Sequence, residues 1–168
     1  MISFVIPAHN EERFLAATIQ AIRGACTGLD EDHEVVVVDD GSTDGTAAVA
    51  AALGVQVIPV QFRQIAAARH AGAVAARGGV LVFVDADTLV HPALVREILD
   101  VVRHGAVGGA AIGLFDGELP RYARAIAAVW IRIARLLVLT QGCCLFCTRA
   151  AYEAVGGFDR TLFAAEDV

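Results

Sequence analysis

Val80-Leu81-Val82-Phe83-Val84-Asp85-Ala86-Asp87 is the stretch of sequence that decides both the fold and the site. Its five leading apolar residues are typical of a strand that is buried on both faces of a parallel sheet. Carboxyl ends of strands border the ligand crevice of an open α/β sheet, so Asp85 and Asp87 are expected to face a ligand. Two close carboxylates repel each other unless a cation neutralises them, which predicts a Mg²⁺ or Mn²⁺ ion that holds phosphate oxygens. A solvated turn after the strand is the alternative.

A second strand ends in the same way. Val35-Val36-Val37-Val38 is a β-branched run suited to the interior of a sheet, and Asp39 and Asp40 follow it directly. Residues 42–44 are expected to cap a helix over residues 47–53. A helix cap explains the polar turn. It does not explain why two acids follow this strand, as Asp85 and Asp87 follow the other one.

The chain opens with a strand and a helix. Residues 2–6 predict a short apolar strand, and Asn10 is expected to cap a helix that Gly24 ends. Glu11 and Glu12 then fall in the first helical turn, where the helix dipole favours acids. Contact with a ligand is the other interpretation of these two residues.

The rest of the chain continues the alternation of strands and helices. Strands are predicted over residues 55–60 and 106–115, and helices over residues 65–76 and 92–102. This pattern predicts an α/β fold with a mostly parallel, Rossmann-like sheet between helices, in three layers. A chain of 168 residues is expected to form a single domain.

Composition limits the partners. The net charge is -6, which argues against nucleic acid as a partner, and all 13 basic residues are Arg, which excludes mechanisms that need a lysine amine. The cluster Cys143, Cys144 and Cys147 has no convincing fourth zinc ligand nearby, so buried thiols in a reducing cytoplasm are expected. No uncharged run reaches the roughly 20 residues that a membrane span needs.

A long helix is predicted over residues 119–139 and carries a basic face. Four arginines on it fall within about 80° of one another at 3.6 residues per turn, namely Arg121, Arg124, Arg132 and Arg135. One interpretation is a solvated surface. The other is contact with anionic lipid headgroups or a lipid phosphate, which would place the protein peripherally at the inner face of a membrane. Residues 143–147 then predict a strand, with Thr148 capping a helix over residues 149–155.

Five motifs in this order resemble the inverting family 2 glycosyltransferases of the GT-A fold. They are Val5-Ile6-Pro7-Ala8-His9-Asn10-Glu11-Glu12, the segment from Val37 to Thr46, Asp85-Ala86-Asp87, Gly156-Gly157-Phe158-Asp159 and Glu166-Asp167. The resemblance covers nearly the whole chain and implies transfer of a sugar from a UDP- or GDP-sugar to a saccharide or lipid acceptor, with Mn²⁺ or Mg²⁺ as cofactor.

The resemblance also implies roles for individual residues. It assigns nucleotide binding to Pro7, Ala8, Glu11, Asp39, Asp40, Arg69, Asp85 and Ala86. Asp39 would accept a hydrogen bond from the base, and Asp85 would reach the ribose or the metal. Asp87 would bind the metal ion. Asp167 would be the general base, with Glu166 beside it in the catalytic pair, and residues 143–149 and 156–159 would shape the acceptor side.

The chain differs from the family in one respect, its length after the Glu-Asp pair. Family members usually continue past the Glu-Asp pair, so the single GT-A domain over residues 1–168 is expected to be short on its acceptor side. A module that binds nucleotide sugars without efficient transfer is therefore an alternative, and an aspartyl-phosphate phosphatase is a more distant one. The donor, the acceptor and the oligomeric state, a homodimer included, stay open.

Overall fold

The computed structural model describes residues 1–111 and 143–159, together with Gly113, Pro120, Tyr122, Ile126 and Arg132. The strands are β1 (Ile2–Ala8), β2 (His33–Asp40), β3 (Gln56–Val60), β4 (Val80–Val84), β5 (Gly108–Ala110) and β6 (Cys144–Thr148). The helices within these ranges are α1 (Leu15–Cys26), α2 (Thr46–Ala52), α3 (Ile65–Ala75), α4 (Pro92–Arg103) and α5 (Arg149–Ala154).

The strands form one sheet in the order β3-β2-β1-β4-β6-β5. Strands β1 to β4 are mutually parallel, whereas β6 runs antiparallel to both β4 and β5. The predicted mostly parallel α/β fold is confirmed. Since β1, β2 and β4 point the same way, their carboxyl ends meet along one edge of the sheet.

Alternate residues of the central strands pack on opposite faces of the sheet. Val35 and Val37 join the cluster under α1 and α4, whereas Val36 and Val38 join the cluster under α3. Helix α3 lies especially close to the sheet, because a Cβ atom on Gly72 would stand 2.3 Å from Val5 Cγ1. Helices on both faces of a central sheet give the predicted three layers.

The start of α1 differs from the prediction. Asn10 does not cap the helix, because its backbone is left-handed, with φ of 58°, and α1 begins only at Leu15. Its Oδ1 atom instead accepts a hydrogen bond from the backbone N of Thr43, at 2.8 Å, in the turn after β2. A contact between two loops has replaced the local cap. The helix also continues past Gly24 to Cys26.

Later helix boundaries follow their sequence signals. Thr148 Oγ1 accepts a hydrogen bond from the backbone N of Ala151, at 3.2 Å, so the predicted cap of α5 is confirmed. Pro92 stands in the first turn of α4, as predicted. Of the cysteines predicted to be buried, Cys144 is buried, whereas Cys143 and Cys147 are half-buried. Burial raises the pKa of the Cys144 thiol to about 12.

The strand predicted over residues 106–115 is shorter within the described residues, where β5 covers Gly108–Ala110. Three arginines of the predicted basic face, Arg121, Arg124 and Arg135, lie outside the described residues, and Arg132 is helical and exposed. Among the described residues, no helix is both long and apolar enough to cross a membrane.

Candidate functional site

A cavity of about 460 Å³ opens at the carboxyl edge of the parallel strands. Its walls come from the ends of β1, β2 and β4, the loop after β3 and the first turns of α3. The lining residues are Pro7, Ala8, His9, Glu11, Asp40, Arg63, Gln64, Ile65, Ala68, Asp85, Ala86 and Asp87. We call Glu11, Asp85 and Asp87 the acidic end, and His9, Asp40 and Arg63 the arginine end.

The acidic end concentrates negative charge. Asp85 and Asp87 follow β4 directly, and Glu11 reaches the same space from the loop after β1. The pKa of Glu11 is raised above its usual value, first by partial burial and then by repulsion from Asp87, Asp44 and Asp85. A bound cation would relieve this repulsion.

Asp85 is held from behind by a buried arginine. Arg69 Nη2 lies 3.0 Å from Asp85 Oδ1, and the two side chains are 2% and 33% exposed. The guanidinium of Arg69 also stands 5.7 Å from the ring centroid of Phe158, in the turn after α5. The backbone N of Asp85 donates to Cys143 O at 3.1 Å. These contacts fix the position of Asp85 at the cavity wall.

At the arginine end, the ring of His9 has three hydrogen-bond partners. Its Nδ1 lies 2.9 Å from Asp40 O, and its Nε2 lies 2.7 Å from Arg63 Nη1 and 3.1 Å from Asn10 Nδ2. A carbonyl oxygen only accepts and a guanidinium only donates, so Nδ1 carries the hydrogen and Nε2 accepts. The geometry therefore specifies one neutral tautomer of the His9 ring.

The two acids at the end of β2 have different environments. The Asp40 carboxylate is 5% exposed and accepts from the backbone N atoms of Phe62 and Gln64, at 2.6 and 3.1 Å. Asp39 is half-buried, and its Oδ1 accepts from the backbone N of Ser42 at 3.2 Å. Asp40 lines the cavity, whereas Asp39 is absent from the lining.

Seven of the residues expected from the sequence are brought together around the cavity: Pro7, Ala8, Glu11, Asp40, Asp85, Ala86 and Asp87. Arg69 stands behind Asp85 rather than in the lining, and Glu166 and Asp167 lie outside the described residues. Sequence reasoning missed His9 and Arg63 as lining residues. His9 was detectable because it directly follows β1 at the ligand edge, but the loop that carries Arg63 has no motif.

The donor atoms of the acidic end fit a hard divalent cation. Carboxylate oxygens are the protein ligands of Mg²⁺ and Mn²⁺, and Asp85 and Asp87 supply them one residue apart. Among the described residues no group of three His, Cys, Asp or Glu side chains could hold a metal ion. Such a pair suits an ion that takes its remaining ligands from phosphate oxygens and water.

The sheet and its edge cavity place the chain in the class of open α/β folds whose ligand crevice lies beyond the carboxyl ends of parallel strands. Within that class the chain belongs to glycosyl transferase family 2, because the model of that family matches residues 3–153. The family membership predicted from the motifs is therefore confirmed, and with it the assignment to a family of enzymes.

Individual relatives agree with this assignment. The undecaprenyl-phosphate 4-deoxy-4-formamido-L-arabinose transferase of Aeromonas hydrophila subsp. hydrophila is 31% identical over 112 residues, which are 62% of this chain and 34% of that protein. The mannosyltransferase PcManGT from Pyrobaculum calidifontis, in complex with GDP-Man and Mn²⁺, superposes with a TM-score of 0.75 at 20% identity. It covers 94% of this chain, which spans 47% of that one.

A third similar protein is TarS 1-349 of S. aureus in complex with UDP-GlcNAc. Its TM-score is 0.75 at 18% identity, and the match covers 99% of this chain and 50% of that one. At these identities the two solved structures show a shared GT-A-type fold, as the sequence predicted. The chain spans about a third of the length of the curated relative and about half of the two solved chains.

Proposed function

We propose that the chain forms the donor-binding domain of a metal-dependent, inverting glycosyltransferase that uses a UDP- or GDP-sugar. The observation that carries this proposal is the acidic end, where the carboxylates of Glu11, Asp85 and Asp87 line one cavity and repel one another. The solved relatives in complex with GDP-Man and Mn²⁺ or with UDP-GlcNAc support it. The acceptor is a hydroxyl group or a lipid phosphate, the latter supported by the name of the Aeromonas relative.

In this proposal the carboxylates of Asp85 and Asp87 hold a Mn²⁺ or Mg²⁺ ion together with the diphosphate. The ion supplies neutralisation of the charge that develops on the leaving nucleoside diphosphate. Pro7, Ala8 and Ala86 form the walls, and the buried Arg69 keeps Asp85 oriented towards the cavity. Asp39 stays our proposed acceptor for a hydrogen bond from the base, close to the Asp40 carboxylate that shapes the loop after β3.

The proton acceptor comes from the resemblance to the family. We assign the general base to Asp167, with Glu166 beside it, both outside the described residues. The Asp167 carboxylate removes the proton of the acceptor hydroxyl while the oxygen attacks opposite the leaving diphosphate, which inverts the anomeric carbon. Assistance of this kind contributes roughly 10²- to 10⁴-fold to a rate.

Calorimetric titration with UDP and GDP, in Mn²⁺ and in EDTA, tests the donor site. We expect tighter binding in Mn²⁺ than in EDTA, and loss of that difference in Asp87→Ala. Asp32→Ala is the matched control, because Asp32 is an exposed acid in the loop before β2, at the opposite edge of the sheet. Absence of binding to both nucleotides in the unchanged chain would contradict the proposal.

Incubation with UDP- and GDP-sugars in Mn²⁺ tests transfer. Release of the nucleoside diphosphate, abolished in Asp167→Asn while binding is retained, is the expected result. Metal-dependent binding without turnover would support the alternative, a nucleotide-sugar-binding module. Release that persists in Asp167→Asn would remove that residue from its assigned role.

We also propose a cytoplasmic protein that docks peripherally at the inner face of a membrane through Arg121, Arg124, Arg132 and Arg135. An acceptor dissolved in the bilayer would require such docking, and basic helix faces bind anionic headgroups. Sedimentation with anionic vesicles should weaken in high salt and after all four residues are changed to Gln. Binding that is indifferent to both changes would exclude this role of the basic face.

A further inference from the structure

Three aromatic side chains hold the turn after α5 against the sheet. The ring centroid of Phe158 lies 4.8 Å from that of Phe83 in β4 and 5.8 Å from that of Tyr152 in α5, both in edge-to-face geometry. Phe83 and Tyr152 are buried, and the half-buried Phe158 packs against the apolar cluster that contains them. Edge-to-face pairs of this kind are favourable. None of the three rings lines the cavity.

The two residues before Phe158 are glycines that this packing requires. Gly156 and Gly157 have left-handed backbones, with φ of 82° and 80°. A Cβ atom on Gly157 would stand 2.8 Å from the hydroxyl oxygen of Tyr152 and 3.0 Å from His70 Nδ1. The hydroxyl oxygen and that ring nitrogen are themselves 3.0 Å apart. The turn therefore closes over a hydrogen bond between α3 and α5, which fixes where Phe158 enters the cluster.

Phe158 also contacts the arginine that holds Asp85. The guanidinium carbon of Arg69 lies over the ring of Phe158, 5.7 Å from its centroid, and Arg69 Nη2 lies 3.0 Å from Asp85 Oδ1. A guanidinium and an aromatic ring attract each other within about 6 Å, most strongly where water is excluded. The side chain of Arg69 is 2% exposed. Phe158 thus covers a buried cation that binds the carboxylate at the end of β4.

The direction of the Asp85 carboxylate depends on a single rotamer of Arg69. An arginine side chain has many rotamers, and holding one of them costs entropy that its contacts must offset. Asp85 and Phe158 hold the guanidinium from two elements that are distant in sequence, β4 and the turn after α5. A group that orients a metal ligand typically changes the metal affinity by roughly 10- to 100-fold.

We propose that Phe158 is a positioning residue for the metal site. Its ring holds the guanidinium of Arg69, and through it the carboxylate of Asp85, in the direction that binds the ion. This role lies on the donor side of the reaction. It is additional to the acceptor side, which the resemblance to the family implies for residues 156–159.

Calorimetric titration with UDP and GDP tests this proposal, which rests on the proposed function. The measured quantity is the Mn²⁺ gain, defined as the ratio of the affinity in Mn²⁺ to the affinity in EDTA. Phe158→Leu keeps an apolar side chain but removes the ring, and the Mn²⁺ gain should fall about fivefold, less than for a direct partner of a metal ligand. Phe158→Tyr retains the ring and should keep the gain.

Ile98→Val is the matched control for a general loss of stability. Ile98 is buried on α4, in the cluster on the opposite face of the sheet from Phe158. Shortening it removes buried apolar contacts and should lower stability, as Phe158→Leu does. The Mn²⁺ gain should nevertheless stay unchanged in Ile98→Val, because no contact of Arg69 or Asp85 is altered.

Urea unfolding in EDTA gives a second readout, which needs no ligand. Phe158→Leu and Arg69→Met each remove the contact between the ring and the guanidinium. The loss of stability in the double variant should therefore be smaller than the sum of the two single losses. Additive losses would show that the two side chains do not support each other and would overturn the role of Phe158.

The outcomes separate the two proposals. If the unchanged chain binds neither UDP nor GDP, the proposed function fails and the role of Phe158 fails with it. If the unchanged chain shows the Mn²⁺ gain and Phe158→Leu keeps it, the role of Phe158 alone is overturned. A fall of the gain that Phe158→Tyr or Ile98→Val shares would assign the loss to packing, and it would also overturn that role.

Discussion

The two ends of the cavity are built by opposite means. At the arginine end, donors and acceptors are matched within the protein: His9, Asp40 and Arg63 each have partners at hydrogen-bond distance. At the acidic end, Asp87 is exposed and Glu11 is repelled by its neighbours. One end is complete without a ligand, and the other has an excess of negative charge that a cation would balance. The difference indicates that hydrogen bonds within the protein hold the arginine end in place, whereas the acidic end carries an excess of negative charge.

The largest expected effect concerns the support of the acidic end. Arg69→Met removes the buried partner of Asp85, and we expect it to lower the free energy of unfolding by about 2–3 kcal/mol, below the 3–5 kcal/mol of fully buried pairs because Asp85 is 33% exposed. Urea unfolding monitored by circular dichroism measures this loss. The matched variant is Arg63→Met at the other end, where an exposed side chain should change stability by no more than about 0.5 kcal/mol. Equal losses of unfolding free energy in the two variants would contradict the distinction between the buried Arg69, which supports Asp85, and the exposed Arg63.

A smaller effect is expected from Asp39 and Asp40, the two acids at the end of β2. Asp40→Asn replaces one carboxylate oxygen by an amide nitrogen, which leaves the backbone N of Phe62 or Gln64 without an acceptor. We expect a loss of about 2 kcal/mol, the usual cost of an unsatisfied buried group. Asp39→Asn should cost less, because Asp39 is half-buried and its described contact is one bond to Ser42. A greater loss from Asp39→Asn would reverse the assignment of Asp40 as the residue that holds the loop.

These two positions show how far sequence reasoning can reach. The β-branched run before Asp39 and Asp40 was enough to predict β2 and two acids at its carboxyl end, because strand propensity and the position of the ligand edge are local rules. Which acid lines the cavity depends on the backbone N atoms that the loop after β3 brings to Asp40. That loop is 22 residues further along the chain, so no local pattern contains the information.

Arg69 and Asn10 illustrate the same limit. Asn10 stands before two acids and an apolar repeat, which predicts a helix cap, but its contact with Thr43 in the turn after β2 determined its conformation. Arg69 was expected to contact a nucleotide, and the structure shows that it pairs with Asp85 and lies outside the residues that line the cavity. Local propensity predicted the elements, whereas contacts between distant loops decided which side chains face the cavity.

The smallest expected effect tests the excess charge of the acidic end through its dependence on pH. The pKa of Glu11 is higher in the folded chain than in the unfolded chain, so the folded state binds the proton more tightly. The stability that this proton provides is present below the ordinary pKa of Glu11 and is lost as the pH rises through the raised value. Glu11→Gln should therefore raise the melting temperature at pH 7 in EDTA and leave it nearly unchanged at pH 3.

Glu12→Gln provides a control of opposite sign for the same experiment. Glu12 is exposed, and its Oε2 accepts a hydrogen bond from the backbone N of Gly45 at 2.5 Å, so this carboxylate stabilises the turn before α2. Its replacement should lower the melting temperature at pH 7, because a neutral amide is a weaker acceptor than a carboxylate. If Glu11→Gln also lowers the melting temperature at pH 7, Glu11 is not under net repulsion. The acidic end would then be as internally balanced as the arginine end, and the contrast between the two would fail.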